Sequence, residues 1–128
     1  MNPDDLKYHK EHTWARLENG KARVGITDYA QDSLGEVVYV ELPETGAAVK
    51  AGEDLGEIES TKATSAVVSP VSGTVLEVNE ELNDSPEIVN EDPYGKGWIA
   101  IMKLDGDSGT DQLMDARQYG TFVEEEAG

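Results

Sequence analysis

The stretch "EIESTKATSAVV", residues 57–68, places one cation, Lys62, between Ser60-Thr61 and Ala63-Thr64-Ser65. Its small neighbours give a long side chain no charge partner and no cover. An exposed lysine titrates near ~10.4, so it is charged at neutral pH and a poor catalyst on its own. It is a good acceptor for an enzyme that removes its proton and acylates it. Without Gly, Pro or Asn, the turn is not expected to be a primed hairpin turn. A type I turn centred on Lys62 and Ala63 accepts these residues and sets the amine at the tip. On residue types alone, a plain solvated lysine remains open. Other chemistry is thinner. His9 and His12 stand three apart with no third ligand and read as surface or packing residues, so no metal site is expected. The acidic runs "EVNEEL" and "VEEEAG" read as solvated faces rather than hard-cation sites. There is no cysteine, which excludes disulfides, thiolate ligands and a thiol nucleophile. Any sulfur redox chemistry must come from an attached group.

The elements that position Lys62 are short. "HTWARLENGKARVGIT" reads as a hairpin turning at Asn19-Gly20, a strong two-residue hairpin signal. "TDYAQDSLG" reads as a short helix, capped by Thr27 or Asp28 and ended by Gly35. "EVVYVEL" is a strand stopped by Pro43. From Ala48 to Asn79, turn signals alternate with strands. Gly52 and Gly73 each precede a similar strand, and Leu55 matches Leu76 at a spacing of 21. This faint repeat suggests two strand pairs related by a local twofold, with the Lys62 turn between them. "NDSPEIVNEDPYGKG" is a loop with a helical turn at residues 85–89, and "WIAIMKL" is the last strand. Trp14 and Trp98 fall in strand contexts and read as core. Residues 1–12 read as an irregular arm. Asp107 or Ser108 is expected to open a C-terminal helix, with Leu113, Met114, Tyr119 and Phe122 as packing candidates. Many short strands with turn signals indicate an antiparallel sandwich or barrel-like fold.

The length of 128 residues suits one domain with a modest core. With 27 acids against 10 bases and a net charge of -17, nucleic acid is a poor partner. Basic partner surfaces are favoured, through steering that salt weakens. Simple solubility or a high-salt cytoplasm would also explain the acidity. No apolar run reaches the ~18 residues of a membrane span. The opening "MNPDDLKYHK" is neither a secretory signal nor a basic transit peptide, so the cytosol is the expected location.

Taken with its flanks, "AGEDLGEI" before and "SPVSGTVLEVN" after, "ESTKATS" resembles the lipoyl-lysine turn of glycine cleavage H-proteins. "LKYHKEHTW", "VGITDYAQDSLGEVVYVELPETGAAV", "NDSPEIVNEDPYGKGWIAIMK" and "LMDARQYGTFVEEE" fit the same family in order, covering nearly the whole chain. The resemblance implies a barrel-sandwich hybrid of two antiparallel sheets with short peripheral helices and a C-terminal helix. It implies one domain over 1–128, a lipoyl-binding core over 22–104, and a C-terminal helix with an acidic tail over 108–128. Lipoate is expected in amide linkage to Lys62. Glu59 matches an acidic position read by lipoate-attaching enzymes, and Gly52 and Gly73 match glycines flanking and positioning the turn. The implied activity is that of a carrier rather than an enzyme. It takes an aminomethyl group from a pyridoxal-phosphate glycine decarboxylase to a tetrahydrofolate-dependent aminomethyltransferase. A dihydrolipoyl dehydrogenase then reoxidises the arm. The chain is expected to be a monomer with no nucleic-acid or membrane partner. A lipoyl relay to 2-oxoacid dehydrogenase subunits is the alternative. A biotinyl carrier would need methionines where Thr61 and Ala63 stand. The family also tucks its loaded arm into a surface cleft, and there the sequence departs from pattern. Thr13, Ser33 and Ala66 replace an acid, a histidine and an acid, so cleft contacts are not carried onto them. Glu11 or Glu36 could supply the acid instead.

Overall fold

Two antiparallel sheets make up most of the chain, for which a computed structural model describes residues 3–106 and 108–127. The strands are β1 (Lys7–Tyr8), β2 (Thr13–Glu18), β3 (Lys21–Ile26), β4 (Val37–Glu41), β5 (Ala48–Val49), β6 (Asp54–Ser60), β7 (Thr64–Val68), β8 (Gly73–Val78) and β9 (Ala100–Leu104). The helices are α1 (Asp28–Leu34), α2 (Glu81–Asp84), α3 (Ile88–Glu91) and α4 (Ala116–Ala127), with a 3-10 turn at Thr110–Gln112. The larger sheet runs β1-β2-β3-β9-β8-β5 and the smaller β4-β6-β7, and the sheets do not close into a barrel. The larger sheet thus extends outside residues 22–104 to take in β1 and β2.

Alternation builds the main core. Along β3, Ala22, Val24 and Ile26 point inward between exposed Lys21 and Arg23. They pack with Val40, Leu55, Ile58, Val67, Val75 and Met102 from both sheets. A second cluster forms on the other face of the larger sheet, where Leu6, Tyr8, Trp14 and Tyr119 are buried together. Gly25 lies under the Trp14 ring, where a Cβ would sit 2.8 Å from Cζ2, so this close approach requires glycine. The Trp14 indole N–H donates to the Pro93 carbonyl at 3.0 Å.

The β2–β3 hairpin turns through Asn19 and Gly20, both at positive φ (51° and 77°), as an Asn-Gly turn requires. Thr27 caps α1, its hydroxyl accepting from the Ala30 N–H at 3.2 Å, and Gly35 ends the helix at φ 84°. Four expectations need correction. The arm at residues 1–12 contains β1, which pairs with β2 and buries Leu6 and Tyr8. The C-terminal helix begins at Ala116, because Met114 is held in a bridge to Tyr8. Asp115 and Gln118 then exchange side chain–backbone hydrogen bonds of 3.0 and 2.8 Å in a capping box. Ser108 therefore precedes the helix, and Asp107 lies outside the described residues. The local twofold fails at Leu55 and Leu76. Leu55 is buried, but Leu76 follows inward-pointing Val75 and so faces outward by ordinary alternation. Trp98 precedes β9 instead of lying in it and is partly buried, packed against the second cluster with the Arg23 guanidinium 5.4 Å from its ring centroid.

Candidate functional site

Lys62 occupies the tip of the β6–β7 hairpin and is exposed. The two-residue loop is Thr61-Lys62, one position earlier than the turn rules indicate, and neither residue has positive φ. Ser60 causes the shift. Its N–H donates to the Ala63 carbonyl at 2.8 Å, and its hydroxyl accepts from the N–H groups of Lys62 and Ala63 at 3.3 and 3.0 Å. A side-chain oxygen thus replaces the carbonyl that closes an ordinary turn. The Thr61 N–H donates to the Glu36 carbonyl at 3.0 Å, fastening the turn to the junction between α1 and β4. The Lys62 stem crosses Gly35, where a Cβ would lie 3.4 Å from Cε. Among the described residues, Lys62 makes no ion pair.

Glu59 is exposed three positions before the lysine, opposite Thr64 on one side and Tyr39 on the other. The structure does not bring Gly52 and Gly73 to the tip. Gly52, at φ 91°, donates its N–H to Ser69 at the base of the hairpin. Gly73 is buried on β8 in the other sheet, where a Cβ would run into the Lys103 carbonyl oxygen. Close strand approach, not the turn, explains that glycine.

A cleft of about 190 Å³ opens beside the turn. Its apolar lining comes from Ile26, Ala30, Leu34, Ile58 and Val67. Helix α1 forms one wall and also ends in Gly35, beneath the lysine stem. Thr13, Ser33 and Ala66, the three positions that depart from the family pattern, all line this cleft, as does Glu11. Glu36 does not line it and serves the turn through its carbonyl. Thr13 is 1% exposed, and its Oγ1 is the one buried side-chain polar atom without a hydrogen-bond partner among the described residues.

Both histidines are engaged in structure. The backbone N–H of Glu11 donates to His9 Nδ1 at 3.0 Å, and burial lowers the His9 pKa from its ordinary value. His12 lines the cleft and adopts φ 68°. Its Nε2 pairs with Glu126 at 2.7 Å, and its Nδ1 lies 2.8 Å from the Tyr119 hydroxyl. That hydroxyl in turn meets Thr27 Oγ1 at 2.7 Å. Among the described residues, no cluster of three or more His, Asp or Glu side chains is placed to hold a metal ion.

An amine at a braced hairpin tip, on a two-sheet scaffold beside an apolar cleft, fits the class of covalent-cofactor carriers. The glycine cleavage H-protein family model matches residues 6–126, and the chain belongs to that family. It is 54% identical over 123 residues to a glycine cleavage system H protein from Coprothermobacter proteolyticus, covering 95% of this chain and 97% of that one. A glycine cleavage system H protein from Geobacillus kaustophilus is 52% identical over 123 residues, covering 96% and 97% of the two chains. The crystal structure of a glycine cleavage system H protein from Mycobacterium marinum superposes with a TM-score of 0.85 at 36% identity. That superposition covers 98% of this chain and 99% of the other.

Proposed function

We propose that this chain is the lipoyl carrier of a glycine cleavage system, with lipoate in amide linkage to Lys62. The observation that carries the reading is the exposed Lys62 amine, unpaired and standing on a turn fastened by Ser60 and Glu36. The residues present fit such a group. The amine is accessible, the adjoining cleft is largely apolar, and one buried hydroxyl in it lacks a partner. When attached, lipoate supplies the redox-active disulfide and the carrying sulfur that a cysteine-free chain lacks.

The chain's own residues bind and orient. Lys62 gives up its ammonium charge on acylation, which takes the net charge from -17 to -18. The resulting neutral amide carries no ionic desolvation penalty against apolar lining. Ile26, Leu34 and Val67 exclude water from one side of the cleft, and Thr13 Oγ1 stands ready to accept an N–H from an amine cargo. A hydroxyl accepts less strongly than the carboxylate the family commonly places there. Tethering raises the local concentration of cargo at each docked active site. The partners in this reading are the glycine decarboxylase, the aminomethyltransferase, the dihydrolipoyl dehydrogenase and a lipoate-attaching enzyme. The chain itself performs no catalysis. Among the described residues no helix is long and apolar enough to cross a membrane. A cytosolic location belongs to the carrier reading.

Intact mass after incubation with a lipoate ligase tests the attachment. Wild-type protein should gain one lipoyl group and Lys62→Arg none; a shifted mass in the mutant sinks the assignment. Lipoylated protein should then support glycine–bicarbonate exchange by the decarboxylase, and failure there would favour the relay alternative.

A further inference from the structure

The two most exposed large apolar side chains described, Val38 and Tyr39, are adjacent in sequence, and each is 49% exposed. They lie on β4, which among the described residues pairs only with β6, at the margin of the smaller sheet. The register shifts between Val37 and Tyr39, so the strand presents both side chains outward where regular alternation would bury one. The fold holds this irregularity in place. The Val37 N–H, turned out of the ladder, donates to Asn90 Oδ1 at 2.8 Å. Tyr39 sits directly opposite Glu59, and Glu41 sits directly opposite Glu57. Two carboxylates facing each other across a ladder repel, and among the described residues none of Glu41, Glu57 and Glu59 has a cationic partner. An aromatic and a β-branched side chain are therefore framed by unneutralised acids.

From this exposed apolar pair on the strand next to the Lys62 hairpin we infer that Tyr39 and Val38 form the docking face for the enzyme that acylates Lys62. It would be received in an apolar pocket rimmed by lysine or arginine. This rests on the carrier reading of Lys62 and adds the surface by which the lysine is found. The geometry supports it. Glu59 is three residues from Lys62, which at ~3.3 Å per residue puts Glu59 within about 10 Å of the lysine backbone, and Tyr39, one strand spacing of ~5 Å across, within about 15 Å. A partner footprint of ~800 Å² has a radius of about 16 Å, so an enzyme that encloses Lys62 covers Tyr39 as well. Gly35 and Glu36, which brace the turn, lead straight into β4, so the strand that carries Val38 and Tyr39 is tied to the Lys62 turn. Charge complementarity selects a basic rim, and a half-exposed tyrosine with a polar surround has the makeup of an interface anchor. Such a face would also distinguish Lys62 from the other nine basic residues of the chain.

The test is steady-state loading of the full-length unmodified chain by a lipoate ligase with lipoate and ATP, read by intact mass. Far-UV circular dichroism and thermal midpoints would confirm the fold of each variant. Tyr39→Ser should raise KM for the carrier about ten- to thirtyfold, with kcat within twofold of wild type. Tyr39→Phe should restore wild-type KM, because the ring and not the hydroxyl makes the contact. Val38→Ser, at an already irregular position, should raise KM about threefold or more. Raised salt should raise KM for wild type and Tyr39→Ser alike by weakening the acidic rim. Wild-type KM in Tyr39→Ser overturns the inference while leaving the lysine assignment standing, since wild type still loads. A lowered kcat at unchanged KM also overturns it, as does slowed exchange with the decarboxylase at unchanged loading. If wild type itself fails to load, the underlying carrier reading fails first.

Discussion

Replacing Thr13 with valine should make the protein more stable and its cleft a poorer host. Thr13 pairs with Ile26 across β2 and β3, points inward and is 1% exposed. Among the described residues its Oγ1 has no hydrogen-bond partner. A buried hydroxyl left unpaired costs about 1–3 kcal/mol. Valine matches threonine in shape and β-branching, so no cavity opens and the strand preference is kept. We expect a gain of about 1–2 kcal/mol. For 128 residues the unfolding entropy is about 0.27 kcal/mol/K, so each kcal/mol moves the thermal midpoint by about 4 °C. Urea unfolding followed by circular dichroism should show a higher midpoint at unchanged slope. In cargo-bearing protein the same change should speed loss of ammonia to water by about two- to twelvefold, the worth of one hydrogen bond. An unchanged or lower urea midpoint would refute the reasoning, because it would mean that the hydroxyl already has a partner. A more stable variant that keeps its cargo as long as wild type would separate Thr13 from the cargo.

The other predictions concern backbone approach, pH and loading. Gly73→Ala should cost more than about 3 kcal/mol, because its Cβ meets the immovable Lys103 carbonyl. Gly52→Ala, at φ 91° with open space around it, should cost only about 1–2 kcal/mol; urea midpoints distinguish the two. Burial holds the Tyr8 and Tyr119 hydroxyls well above the ordinary tyrosine value of 10. Their stabilisation is complete below pH 10 and is lost as pH rises beyond it, so Tyr119→Phe should flatten the alkaline limb of the stability profile. Burial lowers the His9 pKa below 6.5, so its contribution is present above pH 6.5 and lost as pH falls through the lowered value. His9→Asn should reduce the fall in urea midpoint on acidification from pH 7 to 5. Glu59→Gln should slow loading by the attaching enzyme at an unchanged thermal midpoint, since Glu59 is exposed.

Local chemistry was legible and long-range pairing was not. The Asn19-Gly20 turn and the ends of α1 follow from positive φ and capping at single residues, and the structure has both. The fold class follows from strand length and spacing. Lys62 stood out by its setting, but the turn centre was displaced because Ser60 Oγ replaced a backbone carbonyl. A serine just before the loop was the available signal. Met114 bridges to Tyr8 from the far end of the chain, and no local pattern announces that contact. It ordered the arm as β1 and delayed the C-terminal helix. Gly73 looked like a turn glycine because strand approach and turn geometry call for the same residue. The cleft was legible only through the family, as three departures at Thr13, Ser33 and Ala66, and folding brought those together.

Helix α1 is fixed at both ends, and this joins the two parts of the site. At its start, the Thr27 cap meets the Tyr119 hydroxyl, which His12 also engages, and His12 pairs with Glu126 near the end of α4. The Tyr119 ring is itself stacked on Tyr8 at 4.7 Å. At its other end, the Gln31 carbonyl accepts the Gly35 N–H, and the Gly35 carbonyl accepts from the Asn90 side chain at 2.9 Å. Gly35 then carries the Lys62 stem, and the next residue, Glu36, holds Thr61. A wall so constrained cannot tilt without breaking contacts to α4, α3 or the turn. The lysine and the cleft therefore keep a fixed relation, and whatever is joined to Lys62 supplies the motion. In the proposed carrier reading, flexibility belongs to the attached arm, and the protein's contribution is a rigid anchor next to a rigid shelter.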